Sequence, residues 1–239
     1  MKAMIFAAGA GTRLHPLTHQ IPKALVEVGG RTMLEHTILH LKNYGVKNIV
    51  INIHHFPEMI EEFVRKNNAF GMDIAFSKED RLLDTGGGLK KAAWFFDEQS
   101  PIILHNVDVL SNLDLSELYR THLHNRPLAT LAVRKRETSR YLLFDRDNRL
   151  CGWENTKKGE IKLIRNIEQP QRMAFSGIHI ADPVLLQKMP NKEVHPITET
   201  YLELGKEQKI MAYREEQSYW FDIGNLENLE KARNFMDYR

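Results

Sequence analysis

The strongest constraint on the fold is a short apolar run near the N-terminus that ends in two glycines. Residues 2–8 are apolar after the first lysine, and Gly9 and Gly11 follow at once. A continuous apolar run is typical of a central parallel strand, because such a strand is buried on both faces. Glycines permit backbone torsions and close approaches that side chains forbid. The pattern therefore predicts a buried first strand followed by a tight loop.

The rest of the first half alternates between helical and strand-like patterns. Apolar residues at helical spacing predict helices over 32–44, 57–67, 88–96 and 116–124, and apolar runs predict strands over 47–53, 72–77 and 101–107. Alternating strands and helices form βαβ units with a parallel sheet covered on both faces. We therefore expect an α/β, Rossmann-like fold with a mixed, mainly parallel sheet flanked by helices.

The second half has more strands and fewer helices. Strands are predicted over 129–134, 141–145, 150–153, 174–180, 209–214 and 219–223, and helices over 197–205 and 226–236. A turn at 147–149 joins two of these strands into a meander. We expect a single domain over 1–239, with halves 1–125 and 126–239, in which the second half builds a small β-rich lid and a closing helix.

Composition excludes several functional classes. The 33 basic and 31 acidic residues give a net charge of +2, whereas a dedicated nucleic-acid binder would carry a strong basic excess. The only cysteine, Cys151, cannot form a disulfide within the chain, which fits a reducing, cytoplasmic setting. The N-terminal apolar run is too short for a signal peptide, and no stretch approaches the roughly 20 apolar residues of a membrane helix. We therefore expect no nucleic-acid or membrane partner.

The glycine loop fits neither of two common nucleotide-binding motifs. A dinucleotide-binding loop has a third glycine where this chain has Leu14, and a Walker loop has glycine-lysine where this chain has Gly11 and Thr12. Backbone N–H groups of such a loop can still bind phosphate, and Arg13 adds a planar cation. The alternative is a tight turn without a ligand.

A second cation follows within one loop length. Lys23 comes after Pro22, which restricts the backbone before the lysine to extended conformations. Lys23 and Arg13 together could bind the phosphates of a nucleotide and offset charge in a transition state. The alternative is a solvated lysine, the usual environment of this residue type.

The loop and the lysine together resemble a known signature. The pattern reads Gly9-x-Gly11-Thr12-Arg13-Leu14-x-Pro16-Leu17-Thr18, followed by Pro22-Lys23-x-Leu25. It resembles the sugar-1-phosphate nucleotidylyltransferases, and the resemblance extends over essentially the whole chain. Within that family the chain is similar to the short bacterial N-acetylmuramate-1-phosphate uridylyltransferases, on the segments 84–88, 175–178 and 220–224.

The resemblance implies a nucleotide-diphospho-sugar transferase fold and a reaction. A nucleoside monophosphate passes from a nucleoside triphosphate, with UTP favoured, to a sugar 1-phosphate such as N-acetylmuramate 1-phosphate, and pyrophosphate leaves. The product is a nucleotide sugar, here for the cell wall. Because the acceptor phosphate is largely dianionic near neutral pH, with a second pKa of about 6, no general base is needed. This accounts for the lack of a Ser-His-Asp or Cys-His set.

Two aspartates are candidate metal ligands. Asp108 and Asp222 each follow an apolar strand, where an unpaired carboxylate is costly. Each alone could equally cap a helix or a turn. The resemblance implies that both hold Mg²⁺, which proteins bind through one or two carboxylates plus phosphates. Relatives have a glycine where Val107 precedes Asp108, so the close backbone approach that glycine permits is lost.

The resemblance also assigns substrate contacts. Catalytic roles fall to Arg13, Lys23 and Asp108. Nucleotide contacts are expected from Ala7, Ala8, Gly9, Gly11, Thr12, Arg13, Lys23, Gly86 and Gly87, and sugar-phosphate contacts from Asn106, Glu168, Gly177 and Asp222. The alternatives are a flexible turn before a helix for residues 86–88 and a strand bulge for Gly177. Glu79 is expected at the border of the nucleotide pocket.

One departure and two alternatives remain open. Gln169 stands where many relatives have a lysine, so Arg140, Arg165 or Arg172 could supply the cation for the sugar phosphate. The chain could instead use GTP or CTP with mannose 1-phosphate, heptose 1-phosphate or phosphocholine, or be a non-catalytic nucleotide-binding regulator.

The adjacent His54 and His55 point to opposite faces of a strand, which makes them a poor chelating pair. The sequence leaves the oligomeric state open.

Overall fold

The computed structural model describes residues 1–97 and 100–238. Glu98, Gln99 and Arg239, which the single-domain prediction includes, lie outside the described residues. The strands are β1 Lys2–Phe6, β2 Glu27–Val28, β3 Arg31–Thr32, β4 Asn48–Ile53, β5 Asp73–Lys78, β6 Ile102–Asn106, β7 Val109–Ser111, β8 Ala129–Arg134, β9 Arg140–Phe144, β10 Leu150–Asn155, β11 Glu160–Leu163, β12 Gln171–Ala181, β13 Ile210–Arg214 and β14 Trp220–Asp222. The helices are α1 Met33–Asn43, α2 Pro57–Lys66, α3 Asp84–Lys91, α4 Leu115–Asn125, α5 Val184–Lys188, α6 Ile197–Leu204 and α7 Leu226–Asp237.

Ten of these strands form one mixed sheet. Its order is β11-β10-β9-β12-β6-β1-β4-β5, with β8 paired to β12 and β13 paired to β8. The first-half strands β1, β4, β5 and β6 are mutually parallel, and β12 joins them antiparallel to β6. This confirms the predicted mixed α/β sheet flanked by helices. Most second-half strands extend the central sheet, while β7–β14 and β2–β3 form two small separate sheets.

The central strand β1 shows why both faces of the sheet are covered. Ala3 and Ile5 point into a core that includes residues of α1, α2 and α4, whereas Met4 and Phe6 point into a second core with α3, α5 and α6. Successive side chains of a strand face opposite sides of the sheet, so a strand between two helical layers must be apolar at every position. The unbroken apolar run therefore predicted β1 correctly.

A third, smaller core joins the two ends of the chain. Leu14 and Val26 from the N-terminal loops pack with Ile223 after β14 and with Leu229 of α7. The side chain of Asn225 caps α7 by accepting a hydrogen bond from the Asn228 N–H at 2.9 Å. Because these groups pack together, the C-terminal helix holds the glycine loop next to β14.

No helix within residues 1–97 and 100–238 has both the length and the apolar character needed to cross a lipid bilayer.

Candidate active site

A cavity of about 490 Å³ opens at the carboxyl ends of the parallel strands. Phe6 at the end of β1 is in register with Asn52 of β4 on one side and Asn106 of β6 on the other. Ligands of open α/β sheets bind at this edge. The lining residues are Phe6, Ala8, Gly9, Gly11, Thr12, Arg13, Lys23, Asn52, Glu79, Leu82, Asp84, Thr85, Asn106, Val107, Asp108, Val194 and Gly224.

Glycine occurs at positions 9 and 11 of the loop for different structural reasons. Gly11 has a φ of 66°, and a Cβ there would lie 3.0 Å from the Cβ of Lys23 and 3.1 Å from the Cγ2 of Thr18. The Thr18 hydroxyl also donates to the Gly11 carbonyl at 2.8 Å. A Cβ on Gly9 would meet no protein atom within 4 Å. Protein packing therefore requires glycine at 11, whereas at 9 the open space belongs to the cavity.

Lys23 is held inside the cavity wall. It is 8% exposed, and its Nζ is ion-paired with Oδ2 of Asp108. The solvated alternative for this lysine is therefore excluded. Arg13 lies exposed on the cavity rim, and a Cβ on Gly224 would come 2.8 Å from its Nη2. Glycine at 224 thus allows Arg13 to approach the strand end that carries Asp222.

The two aspartates lie side by side at the ends of β14 and β6. The Ile223 N–H donates to the Asp108 carbonyl at 3.0 Å, and the Gly224 N–H donates to Oδ1 of Asp222 at 2.8 Å. Burial, and then the neighbouring charge of Asp108, raise the pKa of the Asp222 carboxyl, whereas Lys23 lowers it. Bringing a cation to this pair would relieve the repulsion between the carboxylates.

The donor set suits a magnesium ion. Within residues 1–97 and 100–238 no group of three or more His, Cys, Asp or Glu side chains could hold a metal. Magnesium is usually held by only one or two carboxylates, with water and substrate phosphates completing the shell. Asp108 and Asp222 therefore fit such an ion when phosphates are bound.

A buried polar chain forms the floor of the cavity. The Ala7 N–H donates to Oδ1 of Asn52 at 2.8 Å, and Nδ2 of Asn52 donates to Oε1 of Glu79 at 2.7 Å. The other oxygen of Glu79 accepts the Leu83 N–H at 3.0 Å. Ala7, predicted to contact the nucleotide, thus uses its N–H inside the protein. Asn52 was missed by sequence reasoning, although it is a polar residue within the apolar run of β4.

Gly86 and Gly87, which are predicted to contact the nucleotide, are not among the residues that line this cavity. Their N–H groups both donate to the His195 carbonyl, at 2.9 and 3.2 Å, and a Cβ on Gly87 would overlap the Glu193 carbonyl. The segment 193–195 packs directly on α3 and leaves no room for a side chain at these two positions. Thr85 and Asp84, at the start of the same helix, face the cavity instead.

A second cavity of about 560 Å³ adjoins the first and shares Asp84 with it. Its walls come from β9, β10, β11 and α6, and its basic residues are Arg136, Arg140, Lys158 and Lys162. Gly177 lies at the irregularity of β12, with a φ of 77°, and a Cβ there would lie 3.0 Å from Nδ2 of Asn106. The bulge alternative therefore accounts for Gly177, which packs behind Asn106.

Glu168, which is predicted to contact the acceptor, lies away from the residues that line the two cavities. Glu168 and Gln169 are exposed on the loop before β12 and line neither cavity. The pairing of β10 with β11 places 153–162 in the wall instead, because that hairpin continues the sheet past the cavity. The sequence showed no strand pattern at 160–163, where all four residues are exposed.

His54 and His55 follow β4 directly. Nδ1 of His54 hydrogen-bonds the Glu79 carbonyl at 2.8 Å, and the ring of His55 packs on Phe56 with centroids 4.2 Å apart. Because β4 ends at Ile53, both histidines lie after the strand, and their rings have separate partners.

Comparison with known sequences adds a family and its relatives. The family model described as "Nucleotidyl transferase" matches residues 2–238. Mannose-1-phosphate guanyltransferases of Yarrowia lipolytica and Saccharomyces cerevisiae are 32% and 31% identical to this chain in alignments of 231 residues that cover 94% of this chain. The chain spans 61% of the length of each of these relatives.

Solved structures share the fold at lower identity. HddC from Yersinia pseudotuberculosis, complexed with GMP-PN, has a TM-score of 0.79 and 22% identity, over 100% of this chain and 99% of the other. A putative glucose-1-phosphate thymidylyltransferase from Bacillus anthracis has a TM-score of 0.84 and 19% identity, over 99% and 95%. Both similarities support the same sheet and helix arrangement.

Proposed function

The chain belongs to the nucleotidyl transferase family, and from that premise we propose that it transfers a nucleoside monophosphate from a nucleoside triphosphate to a sugar 1-phosphate. The observation that carries the proposal is one cavity that combines the open backbone at Gly9 with the Lys23–Asp108 ion pair and the adjacent Asp222. The absence of a side chain at Gly9 leaves room for a triphosphate beside the backbone. The cations of the cavity can offset the charge of the triphosphate, and the two carboxylates can bind its metal ion. A loop with a purely structural role would not need these groups to meet at one cavity.

The reaction is an in-line displacement at the α-phosphorus. An oxygen of the sugar 1-phosphate forms the new bond, and the bond to the pyrophosphate oxygen breaks. The acceptor phosphate is largely dianionic near neutral pH, so no side chain has to remove a proton. Arg13 and Lys23 contribute by binding the phosphates and by stabilising the charge that develops between them.

Asp108 and Asp222 would hold the divalent ion, which we propose to be Mg²⁺. Such an ion neutralises phosphate charge and aligns the triphosphate when it is bound. Asp108 also orients Lys23 through the ion pair, and Gly224 orients Asp222 through its N–H. These contacts fix the side chains before any substrate enters, which lowers the cost of assembling the site.

GTP with mannose 1-phosphate is the first substrate pair to test. Two relatives above 30% identity are mannose-1-phosphate guanyltransferases, and they give no support to the expected pairing of UTP with N-acetylmuramate 1-phosphate. The side-chain oxygens and the amide nitrogen of Asn52 and Glu79 are already engaged within the protein. The partly exposed apolar side chains of Leu82 and Val194 and the polar side chains of Asp84 and Thr85 also line the cavity and are candidates for contact with the base.

A substrate matrix tests the proposal directly. Each of the four nucleoside triphosphates is incubated with mannose, glucose, N-acetylglucosamine and N-acetylmuramate 1-phosphates, with and without Mg²⁺, and pyrophosphate is followed. We expect release that requires one triphosphate, one sugar 1-phosphate and the metal together. Tight nucleotide binding by calorimetry without acceptor-dependent pyrophosphate release would favour the non-catalytic alternative.

A further inference from the structure

Arg136 is a half-buried cation at the wall of the second cavity that has no acidic partner. No ion pair links its guanidinium to an Asp or Glu side chain within residues 1–97 and 100–238, and its Nε is buried without a hydrogen-bond partner. Burial lowers the pKa of Arg136, while the charge of Asp222 acts in the opposite direction. A cation withdrawn from water without a carboxylate in direct contact is costly, so this position favours the arrival of an anion.

The surroundings of Arg136 fix its position next to the strand that carries Asp222. Its guanidinium carbon lies 4.4 Å from the centre of the Trp220 ring, and Nη2 donates to the Phe175 carbonyl at 3.2 Å. The indole of Trp220 is itself held by a 2.8 Å hydrogen bond to the Ser176 carbonyl. Trp220 begins β14 and Asp222 ends it. The cation therefore lines the second cavity and lies near enough to Asp222 to interact with its charge.

The other arginines that could replace the lysine missing at Gln169 are less suitable. Arg165 is ion-paired with Asp145 at 2.9 Å, and Arg172 binds Glu154 through two hydrogen bonds of 2.5 and 2.6 Å. Both cations are therefore already neutralised. Arg140 lines the second cavity but is solvent-exposed, where a single charge contributes little.

We propose that Arg136 binds the phosphate of the acceptor sugar 1-phosphate. This inference rests on the proposed transferase function and assigns one residue to its acceptor site. The planar guanidinium suits a phosphate because it donates several N–H groups in a fixed fork. Stacking on Trp220 keeps that fork in place while the sugar occupies the second cavity. A phosphate held there faces Asp222 and the nucleotide cavity, which the shared residue Asp84 joins to the second cavity.

Steady-state kinetics of Arg136→Gln and Arg136→Lys test the assignment. Loss of a charge-assisted phosphate contact is expected to raise the KM for the sugar 1-phosphate by about 10- to 100-fold. The dissociation constant for the nucleoside triphosphate should stay within about twofold, and Arg136→Lys should lie between wild type and Arg136→Gln because it keeps the charge but loses the fork. A general structural defect would instead weaken both substrates alike.

Arg165→Gln and Arg172→Gln are matched controls, because each removes one arginine that already has a carboxylate partner. We expect near-wild-type KM values for both. An unchanged acceptor KM in Arg136→Gln, or a large increase in Arg172→Gln instead, would overturn the inference.

A binding measurement separates this inference from the proposed function. The part of the tryptophan fluorescence that is lost in Trp220→Phe belongs to Trp220, which reports on its stacked cation. Mannose 1-phosphate and inorganic phosphate should change its fluorescence, free mannose should not, and Arg136→Gln should abolish the response. A response without pyrophosphate release from any substrate pair would contradict the proposed function and leave the phosphate site intact. Turnover with a response independent of Arg136 would contradict this inference alone.

Discussion

At the scale of single residues, the Lys23–Asp108 ion pair sets the charge of the cavity. Lys23 is buried at the start of a short 3-10 helix that follows Pro22, and Asp108 lies just after β6. Both side chains are largely removed from water, so each charge depends on the other and on bound phosphate or metal for compensation. The pair is therefore a sensitive position for catalysis.

Lys23→Ala and Asp108→Asn are each expected to lower turnover by at least about 100-fold, since one positioned charge in a transition state contributes on this order. The fold should persist, because three hydrophobic cores lie elsewhere. Pyrophosphate release and thermal melting would be measured together. Lys66→Ala is the control, because Lys66 forms only an exposed ion pair with Glu62 on α2. Near-wild-type rates in either site variant would contradict the assigned roles.

Gly9 offers a separate test of the phosphate loop. A methyl group at position 9 would meet open cavity and no protein atom within 4 Å. Gly9→Ala should therefore leave the melting temperature nearly unchanged and weaken triphosphate binding by at least about tenfold, which corresponds to 1.4 kcal/mol. Calorimetric titration with the triphosphate measures this. Unaltered affinity would show that the ligand does not approach the loop at Gly9.

At the scale of elements, α3 is unusual because three consecutive glycines lie inside it. Glycine weakens a helix interior by roughly 1 kcal/mol relative to alanine, so local propensity argues against a helix here. Tertiary packing overrides it: the segment 193–195 lies on Gly86 and Gly87, and Gly88 lies against Asn52 and Glu79. The helix therefore starts at Asp84, before the predicted start at 88.

Gly87→Ala should destabilise the protein, in contrast to Gly9→Ala. The added methyl group would overlap the Glu193 carbonyl, so either α3 or the 193–195 segment must move. Overpacking of this kind typically costs about 1–3 kcal/mol. Urea unfolding of the two alanine variants makes the comparison, with the free energy of unfolding as the readout. Equal stabilities would mean that the segment yields without cost.

At the scale of the whole molecule, the central sheet buries histidines on both faces. His105 of β6 packs near His40 of α1, and His179 of β12 packs against Phe175 and Tyr201. Burial lowers the pKa of His105 to about 3 and that of His179 to about 3. Both rings are therefore neutral in the folded protein at conditions where an unfolded chain would protonate them.

The protein should lose stability in mild acid. Because the folded pKa values lie below the unfolded value of about 6.5, the unfolded state binds more protons once the pH falls below 6.5. The stability that the neutral histidines contribute is fully present above that pH and declines toward pH 3, by about 1.4 kcal/mol per pH unit for each histidine. Urea unfolding at pH 7.5 and 5.0 would measure the decline.

His179→Phe isolates one contribution to this decline. Neither ring nitrogen of His179 has a hydrogen-bond partner among the described residues, so phenylalanine removes the titration without breaking a bond. The loss between the two pH values should shrink by about 2 kcal/mol. His124→Gln, at an exposed position, should leave the loss unchanged. An identical pH dependence in His179→Phe would contradict the buried-titration explanation.

The amino-acid sequence by itself determined the features that are local along the chain. The apolar run predicts β1, helical spacing predicts α1, α2, α4 and α7 within one or two residues, and the loop carries Gly9, Gly11, Arg13 and Lys23 within fifteen positions. These features depend on short-range periodicity and on backbone torsions. They can be deduced before any packing is known.

Only the tertiary structure decided which distant segments meet. It packed Gly86 against His195 and Gly87 against Glu193, and it left Glu168 outside both cavities. It also placed Arg136 on Trp220, a contact between residues 84 positions apart for which the sequence carries no signal. Such contacts follow from the order of strands in the sheet and from which side chains find a counter-charge, and both are properties of the folded chain.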